Sequence, residues 1–166
     1  MKLLVLRHDL AEPREAGTGP DTDAKRALTD EGRERAERAA RALANEVGEL
    51  DLLATSPLRR ARETAQALAR ELDGIELTEA DVLAPGHSPA AVAEWLNQQE
   101  GIEQAAVVGH EPGLSELVTW LVSGLSTPWL ELGKGGACLL ELPERVGPGQ
   151  ARLLWLLRPK HLRKLR

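Results

Sequence analysis

The sequence predicts an α/β fold, a three-layer α/β/α sandwich built around a mostly parallel sheet. Short apolar runs typical of buried strands alternate along the chain with longer stretches typical of helices. Repeated strand–helix units of this kind give parallel strands with helices on both faces of the sheet. No linker or low-complexity segment divides the 166 residues, a length that suits one continuous core. We therefore expect a single domain over residues 1–166.

The first strand–helix unit occupies the N-terminal part of the chain. Residues 3–6 (LLVL) form a continuous apolar run, as expected for a strand buried on both faces. A loop rich in glycine, proline and acidic residues follows from Ala11 to Asp23. A long helix is then predicted over 28–47, with Thr29 or Asp30 as its N-cap and acidic residues in its first turn.

The second unit begins with a strand predicted over 51–56 (DLLATS). Pro57 fits the first turn of the helix that follows, predicted over 57–73, because proline lacks an N–H that the first turn would leave unpaired. Residues 75–80 (IELTEA) give a weaker third strand.

The remaining elements complete the alternation. A helix over 88–99 is predicted after the third strand, with Ser88 as its N-cap. The fourth strand is predicted over 104–110, and a helix over 112–124 follows it and ends at a glycine.

Two late apolar runs, 136–143 and 151–158, are separated by a turn rich in glycine and proline. This arrangement is typical of two antiparallel strands joined in a hairpin.

Charge and cysteine content narrow the functional class. The net charge of −5 and the pI near 5.5 argue against a dedicated nucleic-acid-binding protein, because a phosphate backbone demands a basic surface. The N-terminal run reaches charged residues too early for a signal peptide, and no window approaches the length of a membrane span. The single cysteine, Cys138, cannot form an internal disulfide and suits a core position. We expect a soluble cytoplasmic protein whose partners are neither nucleic acid nor membrane.

Polar side chains follow three of the predicted strands at the points where those strands end. Arg7 and His8 end the first strand, Ser56 ends the second with Arg59 and Arg60 a turn beyond it, and His110 ends the fourth. The carboxyl ends of parallel strands share one edge of an open sheet, which is where ligands bind. We therefore expect these side chains to converge. Strict alternation would send Arg7 and His8 to opposite faces, so one pocket can use both only if the pleat breaks there.

Imidazoles and guanidiniums without a carboxylate cluster favour phosphate as the ligand. Guanidiniums form planar two-point bonds to phosphate oxygens and stay cationic at any working pH. Near neutral pH an imidazole is partly unprotonated, so one ring can attack phosphorus while the surrounding cations stabilise the transition state. This chemistry requires no metal ion and no cofactor.

Four segments of the chain, LVLRH, ALTDEGRERA, ATSPLRRARETAQAL and AAVVGHEPGLSELV, carry a family resemblance. In this order and spacing they resemble the histidine phosphatase superfamily, also called the phosphoglycerate mutase-like or RHG family. The resemblance implies the phosphoglycerate mutase-like fold, with His8 as the nucleophile that becomes phosphohistidine. It also implies that Arg7, Arg60 and His110 complete the phosphate pocket. The family pattern S-P-L-x-R-A selects Arg60 over its neighbour Arg59.

The chain departs from the family pattern in two places. Asp9 stands where the family usually has glycine, and an acid beside a phosphate is unfavourable unless it points away. Larger members carry a glutamate after the third strand that protonates an alkoxide leaving group. In this chain Glu79, Asp81 and His87 occupy that region outside any recognisable motif. A phosphohistidine leaves as imidazole, a much better leaving group, so its N–P bond suits a site without that acid.

The short chain looks most like the SixA-like branch of the family, so we expect a metal-independent phosphohistidine phosphatase. Its partner would be a phosphorylated protein, such as a phosphotransfer domain of a signalling or sugar-transport relay. Two alternatives stay open. One is a phosphatase of a small phosphorylated metabolite, either a phosphate monoester or a phosphoramidate. The other is a non-catalytic phosphate-binding module, against which the intact set of Arg7, His8, Arg60 and His110 speaks.

The other charged and titratable residues singled out in the sequence are expected to lie at the solvent-exposed surface. Arg59 and Arg62 are expected on the solvated face of their helix, and His87 and His161 at the surface. The basic tail over 158–166 is expected to be solvated.

Overall fold

The computed structural model describes residues 1–17 and 19–165. Its elements follow one another in the order β1 (Lys2–Arg7), α1 (Pro20–Ala24), α2 (Asp30–Val47), β2 (Leu52–Thr55), α3 (Arg59–Glu71), β3 (Leu77–Glu79), a 3₁₀ turn (Asp81–Leu83), α4 (Pro89–Asn97), β4 (Gln104–Gly109), α5 (Gly113–Ser123), β5 (Ala137–Glu141), β6 (Arg152–Leu157) and α6 (Pro159–Leu162).

The strands form one sheet with the order β3-β2-β4-β1-β5-β6. Strands β1 to β4 run parallel to one another. Strand β5 runs antiparallel to β1, and β6 runs antiparallel to β5, so β6 again points in the direction of β1. The predicted mostly parallel sheet is confirmed, and so is the antiparallel C-terminal hairpin.

Apolar side chains fill both sides of the sheet. Leu3 and Val5 pack on the side of α4 and α5, whereas Leu4 and Leu6 pack on the side of α2 and α3, because successive strand residues alternate between faces. The helices therefore form two outer layers around the sheet, as predicted. Cys138 belongs to the first of these cores, and its burial raises the thiol pKa to about 12. The thiol consequently stays protonated and packs as a small core side chain.

Three helix ends follow the signals identified in the sequence. The Thr29 hydroxyl accepts a hydrogen bond from the Gly32 N–H at 2.9 Å, so Thr29 is the N-cap of α2. Ser88 caps α4 in the same way through the Ala91 N–H. Gly124 ends α5 in the left-handed conformation, with φ at 74°. In the described part of the chain, no helix is long and apolar enough to cross a membrane.

The prediction that Pro57 lies in the first turn of a helix is wrong. Helix α3 begins at Arg59 with Leu58 as its N-cap. The Leu58 N–H donates to the Ser56 hydroxyl at 3.3 Å, which holds residues 56–58 in a turn before the helix. This turn brings Arg59 and Arg60 to the very start of the helix, close to the end of β2.

Two short helices were not predicted. The loop expected from Ala11 to Asp23 contains the start of α1, which has proline at its first position. The tail expected to be solvated contains α6, whose Leu162 is fully buried in the core next to α2. The prediction that the tail is solvated is therefore wrong for α6. Arg166, the last residue of that tail, lies outside the described residues.

Candidate active site

Three neighbouring strands bring the predicted residues to one edge of the sheet. Arg7 is the last residue of β1 and His8 follows it, Ser56 follows β2, and His110 follows β4. Since β2, β4 and β1 are adjacent, these positions are neighbours in space. The ring centroids of His8 and His110 lie 5.0 Å apart, with the ring planes inclined at 54°. The two imidazoles therefore form the centre of the site.

The pleat breaks directly after His8. The His8 N–H still donates to the Gly109 carbonyl at 3.1 Å, but the next N–H, that of Asp9, donates to the Thr64 hydroxyl on α3. Arg7 in turn is fixed by a hydrogen bond from its Nη1 to the Leu132 carbonyl at 2.6 Å. The charge of Arg7 acts on both His8 and His110, so its guanidinium lies near the two imidazoles although Arg7 and His8 are consecutive residues.

The hydrogen bonding of His8 leaves one ring nitrogen free to act as a nucleophile. Its Nδ1 lies 2.7 Å from the Asp9 carbonyl oxygen, which can only accept, so the ring proton is assigned to Nδ1 and the Nε2 lone pair is free. Burial lowers the pKa of His8 to about 4. The hydrogen bond to the Asp9 carbonyl acts to raise this pKa, and the charges of Arg60 and Arg7 act to lower it further. His8 is therefore a neutral imidazole at pH 7.

His110 is oriented by Ser56, whose role the sequence analysis missed. The Ser56 hydroxyl lies 2.7 Å from Nε2 of His110 and accepts from the Leu58 N–H on its other side. We assign the hydroxyl proton to the bond with Nε2, which places the His110 proton on Nδ1. Burial lowers the pKa of His110 to about 3, and the neighbouring His8 and Arg60 add to this shift. His110 is thus a neutral donor through Nδ1.

The two neighbouring arginines of α3 lie in different environments. Arg60 is buried, with Nη1 donating to the Asp23 carbonyl at 2.8 Å and Nη2 donating to the Asp23 carboxylate at 3.0 Å. Arg59 is exposed and pairs with Glu63 at 2.8 Å, one turn along the same helix. Asp23 lies in the short helix α1, and its contact with Arg60 was not predicted from the sequence.

Unpartnered polar atoms concentrate at this site. In the described residues, six buried side-chain polar atoms have no hydrogen-bond partner, and all but Asp9 Oδ2 and Trp155 Nε1 belong to residues at or beside the site. Four of the six are nitrogen donors; Arg7 Nε, Arg60 Nε and His110 Nδ1 belong to the site, and the fourth is Trp155 Nε1. Buried donors normally have partners, because leaving one unpaired costs about 1 to 3 kcal/mol. Three such donors in the site that contains His8 suit a bound oxyanion.

Asp9 points away from this pocket. Its buried carboxyl accepts from the Leu10 N–H at 2.7 Å and packs against Gly135, where a Cβ would collide with it. Burial raises the pKa of Asp9, and its charged neighbours are Arg35, Arg163 and Glu31 rather than the pocket arginines. The acid in the usual glycine position therefore does not repel an anion in the pocket directly.

Of the residues after β3 that the sequence singled out, the two acids are paired or exposed, and the histidine lies nearer to His110. Glu79 is half exposed and pairs with Arg62 at 3.0 Å. Asp81 lies exposed in the 3₁₀ turn. His87 is exposed as well; it lines a small cavity that reaches His110 and a groove of about 710 Å³ that Glu111 also lines.

Glu111 is a further acid that the sequence analysis missed. It follows His110 directly, and burial raises the pKa of its carboxyl. The charge of Arg7 and hydrogen bonds from Ser115 act against that shift, so the carboxyl lies near both the pocket and the groove. Its position next to a strand-end histidine was the available signal.

Metal ligation finds no support in the side chains of residues 1–17 and 19–165. No group of three or more histidine, cysteine, aspartate or glutamate side chains in these ranges could hold a metal ion. The cationic side chains at the site are those of Arg7 and Arg60.

Low pH should lower the stability of the folded protein, because His8 and His110 are buried as neutral imidazoles. In the unfolded chain each accepts a proton near pH 6.5, whereas burial lowers the folded pKa of His8 to about 4 and that of His110 to about 3. The unfolded state then binds more protons, so stability present above pH 6.5 is lost as the pH falls toward 4. We expect the free energy of unfolding in urea to fall by about 2 kcal/mol per histidine between pH 7 and pH 5. A His8→Asn, His110→Asn double variant should lose most of this slope, and an unchanged slope would contradict the neutral state of both rings.

Known proteins share both the sequence pattern and the fold of this chain. The family model described as histidine phosphatase superfamily (branch 1) matches residues 3–84. An uncharacterized protein of Picosynechococcus sp. is 35% identical over 138 residues, which cover 82% of each of the two chains.

Solved structures extend the similarity over nearly the whole chain. The protein histidine phosphatase SixA, in complex with tungstate, matches with a TM-score of 0.82 at 24% identity, over 98% of this chain and 99% of its own. A phosphoserine phosphatase from Entamoeba histolytica, in complex with phosphoserine, matches with a TM-score of 0.68 at 17% identity, over 97% and 98% of the two chains. At these identities the structures establish a common fold, and the molecules they bind belong to those proteins.

Proposed function

We propose that this chain, which belongs to the histidine phosphatase superfamily, hydrolyses a phosphoryl group through a phosphohistidine intermediate on His8. The observation that carries this proposal is the free Nε2 of a neutral His8 in a site where three buried donors, Arg7 Nε, Arg60 Nε and His110 Nδ1, have no protein partner. The similarity to a SixA bound to tungstate, a phosphate-like oxyanion, supports the same choice of ligand. A non-catalytic phosphate-binding module would not need a nucleophile such as His8 Nε2, so the free nitrogen favours catalysis over this alternative.

In the first step, the lone pair of His8 Nε2 forms a bond to phosphorus, and the leaving group departs with the electrons of its bond to phosphorus. The three donors stabilise the charge on the phosphoryl oxygens in the transition state. The Asp9 carbonyl, which already accepts from Nδ1, stabilises the positive charge that the ring gains on phosphorylation. In the second step, water attacks phosphorus and His8 leaves as neutral imidazole, so substrate and water give phosphate and the protonated leaving group.

The preferred substrate in this proposal is a phosphohistidine on a cytoplasmic protein partner. An imidazole leaving group needs less help from a general acid than an alkoxide does. The acids after β3 support this choice, because Glu79 pairs with Arg62 and Asp81 is exposed. The groove beside the pocket leaves room for the part of the substrate beyond the phosphoryl group.

Glu111 favours a second candidate, a phosphatase of small phosphate monoesters. Burial raises the pKa of this carboxyl, which makes a protonated form more accessible near neutral pH. Its place between the pocket and the groove would let it protonate an alkoxide as the ester bond breaks. The two candidates therefore differ in whether an acid at this position is used.

A substrate panel separates these candidates. Hydrolysis is measured for a phosphohistidine-labelled protein, phosphoramidate, phosphoserine and sugar phosphates, each with and without excess EDTA. We expect kcat/KM for the N–P substrates to exceed that for the esters by roughly 100-fold, because the esters lack general-acid assistance. EDTA should leave the activity unchanged, since the arginines and imidazoles supply the electrostatic stabilisation that a metal ion supplies elsewhere.

Spontaneous N–P hydrolysis is subtracted with the His8→Ala variant. A preference for esters that Glu111→Gln removes would establish the second candidate instead. Loss of activity on chelation that added metal restores would overturn the metal-independent mechanism. Tight tungstate binding without turnover of any substrate would indicate the non-catalytic module.

A further inference from the structure

Asp23 connects the loop ahead of α2 to the buried arginine of the pocket. It lies in α1, and its carboxylate and carbonyl both accept from Arg60, at 3.0 and 2.8 Å. The other carboxylate oxygen accepts from Arg26, with Nε at 2.9 Å and Nη2 at 2.8 Å. One aspartate thus bridges two guanidiniums beside the pocket.

The contacts divide the edges of the Arg60 guanidinium. Asp23 takes the end formed by Nη1 and Nη2, and Nε stays buried without a protein partner. A guanidinium can bind one anion at its end and a second along the edge that contains Nε. Arg60 is therefore fixed from one side while its Nε edge is free for an oxyanion.

We propose that Asp23 is a positioning residue that holds the Arg60 guanidinium so that its Nε edge faces the phosphoryl group. The inference rests on the proposed function, to which it adds a residue outside the phosphate pocket. Asp23 has no contact with the phosphoryl group in this role and acts through Arg60.

The charges of the cluster support a carboxylate at this position. Burial acts to raise the pKa of Asp23, but the adjacent Arg60 and Arg26 guanidiniums outweigh it and hold the pKa below its ordinary value. Asp23 is therefore ionised. Arg60 is 4% exposed, and burial of its charge without a partner would be unfavourable.

Arg26 extends the cluster into the loop. Its Nη1 donates to the Glu12 carbonyl at 2.7 Å, so the start and the end of the loop are joined through Arg26 and Asp23. Without the Asp23 carboxylate, the buried guanidinium of Arg60 would keep its charge and lose its fixed orientation.

The test compares Asp23→Ala with Asp23→Asn. Alanine removes both acceptors of the side chain, and we expect kcat/KM to fall roughly 10- to 100-fold, the loss typical of a misplaced catalytic group. Asparagine keeps one acceptor oxygen for Arg60, so it should stay within about fivefold of wild type. Asp21→Ala is the matched control, because this exposed acid of the same helix makes no contact to the pocket arginines among the described residues.

Two further readouts separate positioning from a purely structural role. In an Arg60→Lys background, Asp23→Ala should cause little additional loss, since its effect passes through the guanidinium. NMR of the arginine side chains should give a slowly exchanging Arg60 Nε–H in wild type that shifts on addition of tungstate. This signal should broaden in Asp23→Ala and persist in Asp23→Asn.

The proposal is overturned if Asp23→Ala retains wild-type kcat/KM, or if its loss is fully additive with Arg60→Lys. It is also overturned if Arg26→Ala alone reproduces the whole loss, because the aspartate would then serve only to anchor the loop. If alanine prevents folding, an Asp23→Asn protein whose Arg60 Nε–H signal is unchanged supports the proposal, and one whose signal is lost contradicts it. The NMR readout requires no turnover, so it distinguishes failure of this inference from failure of the proposed function.

Discussion

His8→Ala is expected to lower kcat by about 10⁴- to 10⁶-fold, the loss typical of removing a catalytic nucleophile. The variant retains the anion-binding donors but has no atom to receive the phosphoryl group. The fold should persist, because the packing of β1 rests on its apolar residues 3–6 and His8 follows the strand. Steady-state kinetics and urea unfolding of the same preparation measure the two effects.

His161→Ala is the matched control, since this exposed histidine of α6 lies outside the site. It should retain full activity. A His8→Ala protein that is folded and has nearly wild-type activity would show that another group is the nucleophile.

Arg60→Lys should lower kcat/KM by roughly 30-fold to nearly 1000-fold, although it preserves the charge. A lysine ammonium lacks the planar fork of guanidinium. It cannot reproduce the two bonds to Asp23 at one end together with an edge directed at the phosphoryl group. The measurement is kcat/KM on the best substrate of the panel.

Arg59→Lys supplies the comparison, because Arg59 is exposed and its partner Glu63 can pair equally well with lysine. We expect its kcat/KM to stay within about twofold of wild type. If Arg59→Lys were damaging and Arg60→Lys silent, the alignment of the S-P-L-x-R-A pattern with Ser56 to Ala61 would not describe the working pocket.

The sheet could be predicted from the sequence because its strands are strong local signals. Runs such as 3–6 and 105–108 are apolar on both faces, and the helices between the strands fix the parallel direction. The start of α3 could not be predicted. Pro57 indicates the first turn of a helix, but the hydrogen bond from the Leu58 N–H to the Ser56 hydroxyl holds residues 56–58 in a turn instead. Helix α6 was not predicted, because a basic segment this short is stabilised only by a tertiary contact, the burial of Leu162.

The convergence of strand-end residues was predictable because topology alone places them at one edge. Their hydrogen-bond partners were not. Asp23 lies 37 positions from Arg60, and nothing local in an acidic loop indicates which carboxylate the arginine will bind. The direction of Asp9 likewise depends on its packing against Gly135, a residue far away in sequence.

The central claim is that His8 carries the phosphoryl group during turnover. Its most direct test is to mix the enzyme rapidly with its best substrate, quench in alkali or in acid, and locate the phosphoryl group by peptide mass spectrometry. We expect a phosphoryl group on His8 that survives alkali, is lost in acid, and is absent from the His8→Ala variant. A fully active enzyme that never shows phosphate on His8, or that carries an acid-stable phosphate on another residue, would contradict the mechanism.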